Sequence, residues 1–146
     1  MQSKVLTRGD ERAFILIVEP GEEAFHAIKT FAQDNHINAA SVTAIGAFES
    51  ATLAFFDLES QQYLDIEVRE QSEVLSLLGD VTLDEKGHAN PHLHVVLGLE
   101  DGNTRGGHFM KGVVRPTLEV IIRETPAELR RTYRSEFGIA LIDVNA

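Results

Sequence analysis

The segment NPHLHVVLG, residues 90–98, places two histidines in an apolar run that has the composition of a β-strand. Residues i and i+2 of a strand point to the same face, so His92 and His94 are expected to lie side by side. The alternate positions, all leucine or valine, would then face the core. Two imidazoles presented in this way can bind one metal ion or a ligand, or they can form a polar seam between subunits.

A third histidine follows at position 108, in the segment RGGHFMKG. The intervening residues 98–107, GLEDGNTRGG, have the composition of a hairpin turn, which would return the chain beside the first strand. We expect Gly106 and Gly107 to form pocket backbone, because glycine permits close approach. Three neutral imidazoles with an open coordination position are typical of a zinc site that accepts water or a ligand. Imidazole also suits other divalent transition metals.

Glu119 interrupts the apolar segment TLEVIIR, residues 117–123. A carboxylate in such a strand must be paired or must face a cavity, because burying it alone is costly. It is therefore a candidate catalytic acid or base, or a hydrogen-bond acceptor for a metal-bound imidazole. An ion pair with an arginine is the alternative.

The remaining pattern predicts a single α+β domain over residues 1–146, with a mostly antiparallel sheet. Residues 22–35 predict the main amphipathic helix, with glutamates at its N-terminus, and residues 126–137 predict a short helix. Residues 105–108 are expected to be a loop or the edge of a strand. Apolar, β-branched or alternating segments predict strands at 4–7, 12–18, 39–45, 51–56, 63–68, 72–83, 92–99, 117–123 and 139–144.

The composition restricts the classes of function. The 146 residues carry a formal net charge of −10, which argues against direct nucleic-acid binding by the chain, because phosphate contacts need basic surfaces. The densest basic cluster, residues 123–134, is interspersed with glutamates and is predicted to be a solvated surface. The absence of cysteine excludes thiolate metal sites and cysteine nucleophiles. No apolar run has the length of a membrane span, so a cytoplasmic protein without membrane contact is expected.

Three motifs in order resemble the signature of the PPC domain (plants and prokaryotes conserved). The H-x-H strand at His92 and His94 is followed by G-G-H at residues 106–108 and by an E-V-x-I strand at residues 119–122. Upstream, VTAIGAFESATLAFFD, residues 42–57, is similar to the family's glycine-alanine turn. The resemblance covers residues 12–142.

The resemblance implies a compact α+β domain that assembles as a homotrimer, here as a stand-alone prokaryotic member. Plant members carry a preceding AT-hook, a basic R-G-R-P-like element that binds DNA, and this sequence has none. The fold implied is also similar to that of acetolactate decarboxylase, in which an H-x-H pair and a later histidine hold zinc. That parallel gives His92, His94 and His108 the role of metal ligands.

Three functions follow as hypotheses. The first is a trimeric interaction or sensing module whose three-histidine pocket binds a metal and a small-molecule ligand or a protein partner. The second is a small metal-dependent enzyme, a lyase or hydrolase acting on an oxo or hydroxy acid. The third is a DNA-binding regulator, which the family name suggests and the charge opposes.

Overall fold

One helix and nine strands build the protein, and the computed structural model describes residues 1–146. The single helix, α1, runs from Ala24 to Asp34. The strands, in chain order, are β1 Gln2–Thr7, β2 Ala13–Val18, β3 Ala40–Asp57, β4 Gln62–Val68, β5 Ser72–Leu83, β6 Ala89–Gly98, β7 Thr104–Glu124, β8 Arg130–Arg134 and β9 Ile139–Asp143. No helix has the length and apolar character needed to cross a membrane.

The strands form one mixed sheet in the order β1-β2-β7-β3-β5-β8-β9, with β4 paired to β3. Strand β6 pairs with both β5 and β7, so the pairings of β3, β5, β6 and β7 close into a ring. All pairings are antiparallel except a single parallel contact between β5 and β8, at Leu83 and Arg130. The prediction of an α+β fold with a mostly antiparallel sheet is confirmed.

The amphipathic helix lies where the sequence predicts it, and a glutamate fixes its start. The Glu23 carboxylate accepts hydrogen bonds from the backbone N–H groups of Phe25 and His26, which have no partner within the helix. The same carboxylate accepts a third from the N–H of Gly112 in β7, at 3.0 Å. One acidic side chain therefore both caps the helix and ties it to the sheet.

The core lies between the helix and one face of the sheet. The helix buries alanines, Ile28 and Phe31, and Phe31 packs edge-on against Phe14 of β2 with ring centroids 5.3 Å apart. In β6 the predicted alternation holds, since Leu93, Val95 and Leu97 are buried and the residues between them are not. The histidines of that strand are therefore directed away from the core.

Two predicted elements differ from the structure, and a third is made more precise by it. Residues 126–137 form no helix: strand β8 begins there and pairs with β9 through a turn at Gly138. The two strands predicted at 39–45 and 51–56 fall in one 18-residue strand, β3. Its pairing with β5 is irregular near Gly46, but the strand continues through that position. Residues 105–108, expected to be a loop or the edge of a strand, lie inside β7 near its start and pair with β6.

The face of the sheet opposite the helix carries exposed apolar side chains. Ile45, Leu75 and Leu78 line one shallow cleft, and each is more than half exposed. Val96 of β6 is 40% exposed and lies next to them, since it pairs with Ser76 in the same cleft. We refer to these four residues as the outer apolar patch.

Gly79→Ala is expected to destabilise the protein by about 3 kcal/mol, the upper end of the cost of overpacking. Gly79 of β5 faces β6, and a Cβ there would lie 2.0 Å from the His92 carbonyl oxygen, so the two backbones would have to separate. Urea unfolding measures the loss. Gly98→Ala is the matched control, because its Cβ would meet only the flexible Leu75 side chain. Equal stability of the two variants would contradict the prediction.

Candidate metal centre

Three histidines from two adjacent strands meet at one place on the sheet. His94 of β6 lies directly opposite His108 of β7, and directly opposite residues in an antiparallel pair present their side chains to the same face. His92 lies two residues before His94 and therefore shares that face. The ring centroids are 4.9 to 5.6 Å apart. The structure thus brings together the three histidines that the sequence predicts.

The spacing of the ring nitrogens suits a single ion. The Nε2 atoms of His92 and His94 are 3.2 Å apart, and the potential ligand atoms of all three residues lie within 4.8 Å of one another. Two nitrogens at about 2.0–2.1 Å from a tetrahedral zinc would be separated by about 3.4 Å. The first pair is close to this spacing, and a ring nitrogen of His108 lies within 4.8 Å of both.

The glycine pair before His108 lets three strands approach closely. His108 pairs with Ala54 of β3 on one side and with His94 on the other. A Cβ on Gly107 would lie 2.7 Å from the Ala54 carbonyl oxygen, and one on Gly106 would lie 3.2 Å from that of Val95. Both glycines therefore lie at close backbone contacts, and Gly107 is the more constrained. That they form the backbone of a pocket stays a prediction.

The environment keeps two of the imidazoles neutral. Burial is the main cause that lowers the pKa of His108, to about 4, and the other two histidines and Arg131 lower it further. Burial also lowers the pKa of His92, with Arg131 contributing in the same direction and Asp80 opposing it. At neutral pH both rings therefore hold a free lone pair, the form that binds a metal.

A cleft of about 370 Å³ adjoins two of the three rings, His92 and His108. Tyr63 of β4 packs against His108 with ring centroids 4.8 Å apart. The β8–β9 hairpin forms the other wall with Arg131 and Tyr133. The volume falls within the range of small-molecule sites, about 300–1,000 Å³.

Glu119 lies in a different part of the sheet from the histidines. It is exposed, and it lines the shallow cleft of the outer apolar patch, opposite Ile45 in the β3–β7 register. Because it is exposed, it needs no charged partner, and none of the ion pairs in the structure includes it. Its position gives no support to a role as an acid or base for chemistry at the three rings.

Arg131 lines the cleft, and the sequence pattern did not predict this position for it. It belongs to the basic cluster predicted to be a solvated surface, yet its side chain is only 12% exposed and forms an ion pair with Asp80 at 2.9 Å. Its neighbour Arg130 is 37% exposed, as a surface residue would be. The alternation in β8 would have distinguished the two arginines, but the segment has the composition of a helix.

A model of the Plants and Prokaryotes Conserved (PCC) domain matches residues 6–126 of the chain. These residues include all three histidines, the glycine pair and Glu119. The β8–β9 hairpin lies beyond the matched region.

Solved structures and a curated relative extend the comparison. A candidate DNA-binding protein from Bacteroides thetaiotaomicron superposes with a TM-score of 0.89 over 99% of each chain, and at 24% identity this likeness shows the fold alone. A metal-containing protein from Archaeoglobus fulgidus is 29% identical, with a TM-score of 0.83 over 96% of this chain and 95% of the other. The bifunctional protein GlmU of Synechococcus sp. (strain JA-3-3Ab) is 29% identical over 122 residues, 82% of this chain. The chain spans 18% of the length of that relative.

Proposed function

The chain belongs to the Plants and Prokaryotes Conserved domain family, and on that premise we propose that it is a homotrimeric interaction or sensing module with a metal-dependent ligand pocket. His92, His94 and His108 are the proposed metal ligands, and residues 1–146 are treated as one domain. The observation that carries the proposal is the convergence of three imidazoles whose ligand atoms lie within 4.8 Å of one another. The metal-containing relative from Archaeoglobus fulgidus supports it.

Zinc is the metal that we propose, since three neutral imidazoles with an open position form a common zinc site. The ligand set would also accept other divalent transition metals, which bind imidazole in a graded order of affinity. A metal held there would act as a Lewis acid toward a carbonyl or carboxylate oxygen in the adjacent cleft. The role of the chain itself is to position the rings, keep them neutral and shape the cleft.

The outer apolar patch supports assembly through the face of the sheet opposite the helix. A cluster of half-exposed aliphatic side chains on one sheet face marks an interaction surface more often than an ordinary solvent surface. We propose that second and third copies of the chain cover it. His94 lies directly opposite Leu78 in the β5–β6 register, so the proposed interface would adjoin the histidines.

A metal-dependent lyase or hydrolase is the second candidate, and the cleft beside the rings favours it. The position of Glu119 weakens this candidate, because the only acid or base predicted for it lies elsewhere on the sheet. The third candidate is a DNA-binding regulator, and one structural neighbour is described as a DNA-binding protein. The net charge of −10 argues against this candidate.

Elemental analysis of purified protein tests the metal site. We expect about one equivalent of zinc or another divalent transition metal per chain, and its loss in the double variant His92→Ala and His94→Ala, because two of three ligands are removed. His26→Ala is the control, since that histidine is exposed on the helix. An unchanged metal content in the double variant would reject the three histidines as the ligands.

A further inference from the structure

Arg131 is held in place beside the proposed metal ligands. Its Nη2 donates to both carboxylate oxygens of Asp80, at 3.0 and 2.9 Å. Asp80 in turn lies directly opposite His92 in the β5–β6 register. The guanidinium is thus positioned before any ligand arrives, and the β8–β9 hairpin that carries it is attached to the strand pair that carries His92.

The hydrogen-bonding capacity of this guanidinium is not used up within the protein. Arginine has five N–H donors and no acceptor. The buried Nε of Arg131 has no acceptor at all, and Nη1 makes only a long contact of 3.5 Å to the Ala140 carbonyl oxygen. The Nε atom is enclosed by protein, whereas Nη1 has a second N–H with no acceptor, on a side chain that lines the cleft. An acceptor supplied by a ligand would therefore complete the hydrogen bonding of Nη1.

The cleft also restricts what kind of acceptor can enter. Its walls are largely aromatic and aliphatic, and Arg131 carries the one permanent charge of the lining. The other polar side chains there are Asn90, His92 and His108, with the hydroxyls of Tyr63 and Tyr133. The apolar side chains of the lining are those of Phe25, Tyr63, Phe109, Met110, Tyr133 and Ile139. A guanidinium fork matches a carboxylate or a phosphate, but the apolar walls favour an anion that has a carbon skeleton.

We propose that Arg131 is the anion-binding residue of this site and that the ligand is a small organic carboxylate. The carboxylate would accept hydrogen bonds from the guanidinium, and the carbon skeleton would pack on the aromatic walls. A metal held by the three histidines would supply a further contact to an oxygen of the ligand. The inference rests on the proposed function, because it takes the three histidines as metal ligands.

Cobalt-substituted protein provides the test, since the visible spectrum of Co²⁺ changes when a new ligand enters its coordination sphere. Titration with pyruvate is expected to give a saturable spectral change. Arg131→Gln should weaken pyruvate binding by about tenfold or more, the size expected for loss of a charge-assisted hydrogen bond, with cobalt stoichiometry unchanged. Arg134→Gln is the matched control: it removes the same charge from the same hairpin, at a residue that does not line the cleft. It should bind pyruvate as the wild type does.

The outcomes separate the two proposals. If the wild-type protein binds no cobalt, the metal site fails and the anion site fails with it. If cobalt binds but pyruvate produces no change, or binds equally to Arg131→Gln, the anion site alone is rejected. If inorganic phosphate binds as tightly as pyruvate, the preference for an organic carboxylate is rejected. Should Arg131→Gln lose the far-ultraviolet circular dichroism of the fold, Arg131→Lys replaces it. Lysine retains the charge beside Asp80 but lacks the fork, so weakened binding is still expected.

Discussion

Zinc is expected to raise the free energy of unfolding of the metal-free protein by about 4 kcal/mol when the free ion is at 1,000 times its dissociation constant. A ligand that binds only the folded state stabilises it by mass action, and the three rings are brought together only by the pairing of β6 with β7. For a chain of this size the gain corresponds to roughly 10 °C in melting temperature. Thermal unfolding of chelator-treated protein, with and without zinc and at fixed protein concentration, measures it.

The effect should disappear in His108→Ala, since this residue supplies the only proposed ligand from β7. His88→Ala is the matched control, because His88 lies in a turn, is 65% exposed and faces Asp84 rather than the other histidines. Because burial lowers the pKa of His108 to about 4, proton competition at this ligand should weaken zinc binding only in acid. An equal zinc-dependent shift in wild type and His108→Ala would contradict the proposed ligand set.

If the chain forms the proposed trimer of about 48 kDa, three times the 16.1 kDa chain, Leu78→Glu is expected to convert it into monomers. Leu78 belongs to the outer apolar patch and is 54% exposed, so the substitution costs little in the isolated chain. In an assembled interface it would place three carboxylates in an apolar environment, which is costly for each of them. Size-exclusion chromatography with light scattering measures the mass.

Leu58→Glu serves as the control for this variant. Leu58 is 65% exposed but lies in the β3–β4 turn, away from the outer apolar patch, so the trimer should persist. A wild-type mass of about 16 kDa at high protein concentration would contradict the assembly, and a trimer that survives Leu78→Glu would place the interface elsewhere.

The convergence of the three histidines could be predicted from two signals in the sequence. One is the period-two alternation of the strand, and the other is the glycine-rich hairpin, which returns the chain beside that strand. His92 and His94 fall on the polar side of an otherwise apolar strand, and the hairpin determines where His108 returns. The same alternation explains why the core positions of β6 are found correctly.

Arg131 could not be predicted for the opposite reason. The segment AELRRTYR, residues 127–134, is composed of residues with high helix propensity followed by β-branched and aromatic ones, and local composition favours a helix at its start. The structure instead forms a hairpin, since Gly138 adopts a positive φ of 74° in its turn and the ion pair of Arg131 with Asp80 fixes the hairpin on the sheet. The ion pair is a tertiary contact, and the local sequence pattern carries no information about it. Glu119 lines a cleft, which is one of the expected alternatives, but this cleft is not the one beside the histidines, and strand pairing rather than local pattern decides which of the two it lines.

The pairing of Leu78 with His94 has a consequence for regulation. One residue belongs to the proposed subunit contact and the other to the proposed metal site, and they are direct neighbours across two strands. If association favours the metal-binding orientation of His94, the affinity of the site for metal rises on association. Thermodynamic reciprocity then requires that bound metal strengthens association by the same factor. The fraction of metal-bound protein would then depend on the concentration of the chain as well as on that of the free ion.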